Sequence, residues 1–232
     1  MLIKRKKSDT SGRMLMMGYF KSVFSEQFRS IRANINFSIK DKGAKTLLIT
    51  SASVGEGKST IASNLGVAFA QEGKKVLLID ADLRKPTMHF TFNQFISPGI
   101  TNLLLSNWSI EDVVKDSGIK GLHIITCGPI PSNPAELISH RSMDQFIAEA
   151  KKKYDLIIFD APPLLSVADA QVLSEKCDGT IVVVSLGKTE KRNMVKAIEA
   201  LQHSKANIVG AVLNNYKLDK NHHYYEAYVE TE

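Results

Sequence analysis

Short runs of apolar, mostly β-branched residues recur from residue 45 onward. They lie at 46–50 (TLLIT), 75–80 (KVLLID), 122–127 (LHIITC), 155–160 (DLIIFD), 180–186 (TIVVVSL) and 207–213 (NIVGAVL). The runs are continuous rather than alternating, which is the pattern of strands covered on both faces. Between them, apolar spacing predicts helices over 58–72, 109–116, 141–153, 167–176 and 190–204. Strand–helix alternation with right-handed crossovers predicts an α/β fold, a doubly wound and mostly parallel sheet with helices on both faces. Ahead of it, Phe24, Phe28, Ile31, Ile35 and Ile39 recur at helical spacing, with Ser25 the expected N-cap. No apolar period survives beyond Tyr216. The expected organisation is an N-terminal arm (1–24), a domain (25–215) whose first helix is 25–39, and a C-terminal tail (216–232).

Charge sharpens that division. The 232 residues carry a formal net charge of +6. Residues 1–13 hold Lys4, Arg5, Lys6, Lys7 and Arg13 against Asp9, whereas the tail is mildly acidic. The body is nearly balanced, which argues against a whole-domain nucleic-acid footprint. The arm can meet anionic lipid, at about 1 kcal/mol per basic residue near a surface, or simply be solvated. Met14, Met16 and Met17 suit an adaptable docking surface or an unstructured start. No apolar stretch approaches the ~18 residues that span a bilayer, and no secretory leader is expected. Cys127 and Cys177 show no ligand or disulfide spacing. Four of the six tyrosines fall in the last seventeen residues.

Residues 51–60, SASVGEGKST, stand between a predicted strand and a predicted helix. Gly55 and Gly57 let successive backbone N–H groups converge on phosphate oxygens, and the helix N-terminus adds its positive end. Lys58 can reach the β- and γ-phosphates, and Ser59 can ligate Mg²⁺. The pattern G-x-x-x-x-G-K-[ST] is met except at its first position, Ala52. The fold is therefore expected to be P-loop NTPase-like, with Gly55, Glu56, Gly57, Lys58, Ser59 and Thr60 around ATP.

Such a site needs carboxylates at neighbouring strand ends. Asp80 and Asp82 follow one apolar run, and Asp160 ends another, before two prolines. Asp160 is placed like an Mg²⁺-holding aspartate. Of Asp80 and Asp82, one can hold metal water while the other accepts a proton; alternatively, one only caps the next turn. Arg84 and Lys85 either neutralise phosphate or form a solvated pair.

GEGKST, the D-A-D-L-R run at 80–84 and the D-A-P-P run at 160–163 together resemble the bacterial protein-tyrosine kinases (BY-kinases) of capsular and exopolysaccharide synthesis. GPIPSNPAELI at 128–138, SVADAQ at 166–171 and the terminal tyrosine cluster extend the resemblance over residues 25–232. Ser53 stands where partition and septum-site ATPases carry a signature lysine, which favours the kinases. Such a P-loop ATPase switch, without kinase activity, is the alternative function.

The resemblance implies a catalytic set of Lys58, Asp80, Asp82 and Asp160, with Mg²⁺ near Ser59, Asp80 and Asp160 and Asp82 as the base. Asn214 sits where related P-loop ATPases read the adenine edge, or else only caps a turn, and the resemblance implies phosphorylation in trans of Tyr224, Tyr225 and Tyr228. Glu26, Arg29 and Arg32 match an E-x-x-R-x-x-R element for assembly into a homo-oligomeric ring; a solvated intrahelical ion pair is the bland alternative. The implied partners are a separate transmembrane activator, a protein-tyrosine phosphatase and tyrosine-containing substrate proteins. The implied location is cytoplasmic, at the inner face of the membrane.

Overall fold

A computed structural model describes residues 23–39, 43–106 and 108–216. The arm through residue 22 and the tail from 217, with its three tyrosines, lie outside the described residues. Helix α1 (Val23–Ile39) precedes β1 (Thr46–Ser51), α2 (Lys58–Gln71) and β2 (Val76–Asp80). Three short helices follow: α3 (Met88–Thr91), α4 (Ile100–Leu105) and α5 (Ile110–Val113). Next come β3 (Lys115–Ile119), β4 (Leu122–Ile125), α6 (Pro134–Ser139), α7 (Arg141–Lys153) and β5 (Leu156–Asp160). The order closes with α8 (Asp169–Lys176), β6 (Gly179–Ser185), α9 (Lys191–His203) and β7 (Ile208–Asn214).

The sheet runs β3-β4-β2-β5-β1-β6-β7. All neighbours are parallel except β3, which pairs antiparallel with β4. Side chains alternate between the faces along each strand. Leu47, Ile49, Leu78 and Ile158 pack with Phe28, Ile35, Leu65 and Phe69 of α1 and α2. Leu48, Leu77, Ile79 and Phe159 pack on the other face with Phe146, Ile147, Leu173 and Leu201 of α7, α8 and α9. Burial on both sides is why the strands read as continuous apolar runs.

Two local expectations are corrected. The predicted helix 109–116 stops at Val113: Val114 is already extended, and the chain enters strand β3. The sequence of β3, KDSGI, has no apolar run because it is a partly exposed edge strand. It is held by the Lys115 ammonium, which donates to the carbonyls of Phe95 (2.8 Å) and Pro98 and to the Thr126 hydroxyl. Second, α1 begins at Val23, so Ser25 lies inside the helix and is not its N-cap.

Among the described residues no helix is long and apolar enough to cross a membrane.

Candidate active site

Parallel strands deliver their ends to one edge. β1 runs into the loop 52–57, β5 ends at Asp160 and β2 ends at Asp80. Asp80 and Asp160 are register partners, so their carboxylates stand side by side. Both are fully buried, and Asp82 is nearly so. This burial of acid beside a glycine loop and a helix N-terminus is what defines the site.

The loop is left-handed at Gly55 (φ 75°) and Gly57 (φ 95°). A Cβ on Gly57 would stand 2.1 Å from Asn214 Nδ2, so both backbone shape and close approach require glycine there. Gly57 is also the N-cap of α2, with no side chain covering the helix's first N–H groups. Lys58 and Ser59 open that helix.

Lys58 Nζ lies 2.9 Å from Asp82 Oδ2, 3.7 Å from Asp160 Oδ1 and 3.5 Å from Ser59 Oγ. Burial works against its charge, but attraction to Asp160 and Asp82 outweighs burial and raises its pKa above the usual lysine value. Burial pushes the Asp160 carboxyl up, with Lys58 opposing. Asp80 is lifted to about 7, first by burial and then by the charge of Asp160.

The capping role considered for Asp80 and Asp82 is present on one oxygen of each. Asp80 Oδ2 accepts the N–H groups of Thr87 (3.0 Å) and Met88 (2.9 Å) at the start of α3. Its Oδ1 has no partner. Asp82 Oδ1 accepts the Lys85 N–H at 3.0 Å, which closes a turn, while Oδ2 faces Lys58. Neither oxygen of Asp160 has a hydrogen-bond partner. Three orphaned acidic oxygens in a buried cluster are the donor set a hard divalent cation takes. Among the described residues no group of three or more acidic, His or Cys side chains forms a metal cage. Mg²⁺ is commonly held by one or two carboxylates together with substrate phosphates, and Asp80 and Asp160 could supply the carboxylates.

Other expected residues fall in several places. Glu56 is fully buried: its carboxylate accepts from Ser53 N (3.0 Å) and from Thr189 Oγ1 (2.7 Å). Its side chain therefore shapes the loop from within, and only its N–H is left to face a phosphate. Thr60 lies in the first turn of α2, its carbonyl accepting from Asn64 Nδ2 (2.8 Å). Asn214 Nδ2 donates to the Glu56 carbonyl at 3.0 Å, placing Asn214 against the phosphate loop. Arg84 is neither a free phosphate ligand nor half of a solvated pair. It forks onto the fully buried Asp169 of α8, Nε at 2.9 Å and Nη2 at 3.0 Å. Tyr216 lies two residues past the end of β7 and is exposed.

In α1, Glu26 and Arg29 form an ion pair within the helix. Arg32 turns away from them onto α2, where Nη1 donates to the Ala68 carbonyl (2.8 Å) and Nε lies 3.6 Å from Glu72.

Comparison with known proteins agrees with this geometry. Residues 44–209 match a family model described as an AAA domain. The tyrosine-protein kinase YwqD of Bacillus subtilis (strain 168) is 50% identical over 223 residues, covering 96% of this chain and 94% of that protein. The crystal structure of the chimerical protein CapA2B2 superposes with a TM-score of 0.85 at 38% identity, over 89% of this chain and 91% of that one. The kinase domain of the Escherichia coli tyrosine kinase ETK gives 0.86 at 30% identity, over 90% of this chain and 82% of that one. With half its residues shared across nearly the full length of one such enzyme, and with the nucleotide loop and its acidic strand ends in place, the chain belongs to the bacterial tyrosine-protein kinases.

Proposed function

We propose that the chain transfers the γ-phosphoryl group of Mg²⁺-bound ATP to tyrosines in its own C-terminal tail, between copies of itself, and so regulates capsular or exopolysaccharide synthesis and export. The observation that carries this is the pairing of Lys58 with Asp82 at 2.9 Å beside the orphaned oxygens of Asp160.

When ATP enters, Lys58 exchanges its acidic neighbours for the β- and γ-phosphates, which the loop N–H groups receive. Ser59, Asp160 and Asp80 are the residues that would hold Mg²⁺, which when bound would neutralise charge developing on the transferred group. Departure of Lys58 frees Asp82 Oδ2 to accept the proton of a tyrosine hydroxyl, a phenol of pKa about 10. The tyrosine oxygen attacks phosphorus, the bond to the ADP oxygen breaks, and ADP leaves. Positioning and charge neutralisation supply most of the rate.

Tyr224, Tyr225 and Tyr228 are the proposed acceptors. Each phosphate adds about −1.5 to −2 charge to an acidic tail, which loosens a homo-oligomeric ring. Glu26 and Arg29 on α1 are proposed to contribute to the ring contact. Arg32 supports it from behind by fixing α1 to α2. A separate transmembrane activator is proposed to bring the cytoplasmic chain to the inner membrane face, and a protein-tyrosine phosphatase to reset the tail.

Incubation with radiolabelled ATP and Mg²⁺, with and without an activator peptide, tests the reading. Phosphotyrosine is expected, with loss in Lys58→Met and in Asp82→Ala; full labelling of both variants would overturn the site assignment. Sedimentation with ATP is expected to show dissociation for the intact tail and a persistent assembly for the triple Tyr→Phe tail. Equal dissociation would refute the tail's role.

A further inference from the structure

Residues 186–189, between β6 and α9, belong to none of the nucleotide-binding motifs, yet they grip the phosphate loop from outside. Gly187 adopts φ 74° and turns the chain back, so that Thr189 N reaches the Ser185 carbonyl at 2.9 Å. Ser185 N in turn donates to Thr189 Oγ1 at 2.8 Å. With an N–H already on its oxygen, the hydroxyl directs its own proton to Glu56 Oε1, 2.7 Å away. Glu56 Oε2 takes the Ser53 N–H, so the buried carboxylate closes a bridge between loop and clamp. Beside it, Lys188 Nζ donates to the Gly55 carbonyl at 2.9 Å. From β7, Asn214 Nδ2 donates to the Glu56 carbonyl.

These contacts fix two peptide planes. In a trans peptide the carbonyl of one residue and the N–H of the next point in opposite directions. Drawing the Gly55 and Glu56 carbonyls outward therefore turns the N–H groups of Glu56 and Gly57 to the inner side of the loop, where phosphate oxygens bind. We infer that Lys188 and Thr189, with Asn214, are positioning residues that hold the phosphate-binding N–H groups in place before nucleotide arrives. On this account Asn214 acts on the loop backbone rather than only on the base. The inference rests on the ATP-binding reading above and adds to it where the loop's affinity comes from. A preformed cradle lowers the ordering cost of binding, so its loss weakens nucleotide affinity more than turnover.

The test uses the full chain and three substitutions: Thr189→Val, Thr189→Ser and Lys188→Met. The readouts are titration with a fluorescent ATP analogue, KM for ATP against kcat, and thermal unfolding. Thr189→Val and Lys188→Met are each expected to weaken analogue binding and raise KM about ten-fold, the scale of one lost hydrogen bond to a charged group. Turnover at saturating ATP should stay within about two-fold, since the interaction serves ground and transition states alike. Thr189→Ser should restore both constants. Should Thr189→Val fail to fold, the exposed Lys188 carries the test alone. Unchanged binding in a variant that unfolds at the wild-type temperature would overturn the clamp, as would a fall in kcat with KM unchanged. Lys58→Met separates the two levels. If it abolishes analogue binding while the clamp variants do not weaken it, the clamp alone is wrong; if it too binds normally, the ATP reading fails.

Discussion

The two halves of the site are built on opposite rules. On the loop side, the carbonyls of Gly55 and Glu56 and the carboxylate of Glu56 are all bonded within the protein. On the acidic side, Asp160 has no hydrogen bond on either oxygen and Asp80 none on Oδ1, although both are fully buried. A satisfied loop is rigid and ready; an unsatisfied acid cluster is an energetic debt that a cation relieves. On the proposed function, the difference separates what the fold provides unaided, a phosphate cradle, from what it leaves for a ligand, a metal and its phosphates. Lys58 is the hinge between the halves. Its ammonium is paired with Asp82 and Asp160, and on the proposed function it is the group that exchanges them for phosphates.

The strongest way to break this comparison is to remove the hinge. Lys58→Met should lower tyrosine phosphorylation by about 10²–10³-fold, the cost of losing a charge-stabilising donor. It should also destabilise the fold without ligand, because three buried carboxyls lose their cation. Phosphotyrosine yield and a urea midpoint check both effects. The next effect lies outside the cradle. Arg84→Ala leaves Asp169 buried without its guanidinium, at a cost of about 2 kcal/mol after allowance for Arg84 being half exposed. Chemical denaturation measures it, and Asp169→Asn in the same background should recover part of the loss.

Asp80 sharpens the acidic half through pH. Its folded value of about 7 exceeds the ordinary 3.8, so the folded chain keeps a proton that the unfolded chain releases. The stability from that proton is complete below the unfolded value and is lost as pH rises through about 7. Asp80→Asn imitates the protonated form. It should raise the Tm of the ligand-free protein by about 3 °C at pH 8, with a smaller gain near pH 5, while abolishing Mg²⁺-dependent activity. A Tm gain equal at both pH values would contradict the account. The smallest effect is at α1: Arg32→Ala should cost about 1 kcal/mol by leaving the Ala68 carbonyl of α2 without its side-chain donor. Glu26→Ala should cost less than half of that, since an exposed i, i+3 pair contributes little.

How far the molecule was legible in its sequence follows the same division between local and distant bonds. The six parallel strands read directly, because burial on both faces forces continuous apolar runs. β3 did not read, because an exposed edge strand needs no apolar pattern and is held by one lysine bonded to carbonyls around residues 95–98. Lys58, Asp80, Asp82 and Asp160 were visible because loop and strand-end residues carry chemistry at short, fixed spacings. The divided use of the aspartate oxygens was not, since it depends on where the chain turns after Asp82. Arg84 with Asp169 and Thr189 with Glu56 were hidden by separations of 85 and 133 residues, which no local pattern encodes. Arg32 is a related case. Spacing of three predicts a shared face with Glu26 and Arg29, and the contact of its long side chain with the Ala68 carbonyl of the next helix is not encoded in that spacing.

The central claim is that the Lys58, Asp82 and Asp160 cluster phosphorylates the tail tyrosines of another copy. It is tested most directly by mixing two inactive halves. One chain carries Asp82→Ala with its tail intact; the other keeps its site intact but carries Tyr224→Phe, Tyr225→Phe and Tyr228→Phe. With Mg²⁺ and radiolabelled ATP, neither alone should yield tail phosphotyrosine, and the mixture should yield it on the Asp82→Ala chain. Full labelling of the Asp82→Ala chain by itself, or none in the mixture, would contradict the account.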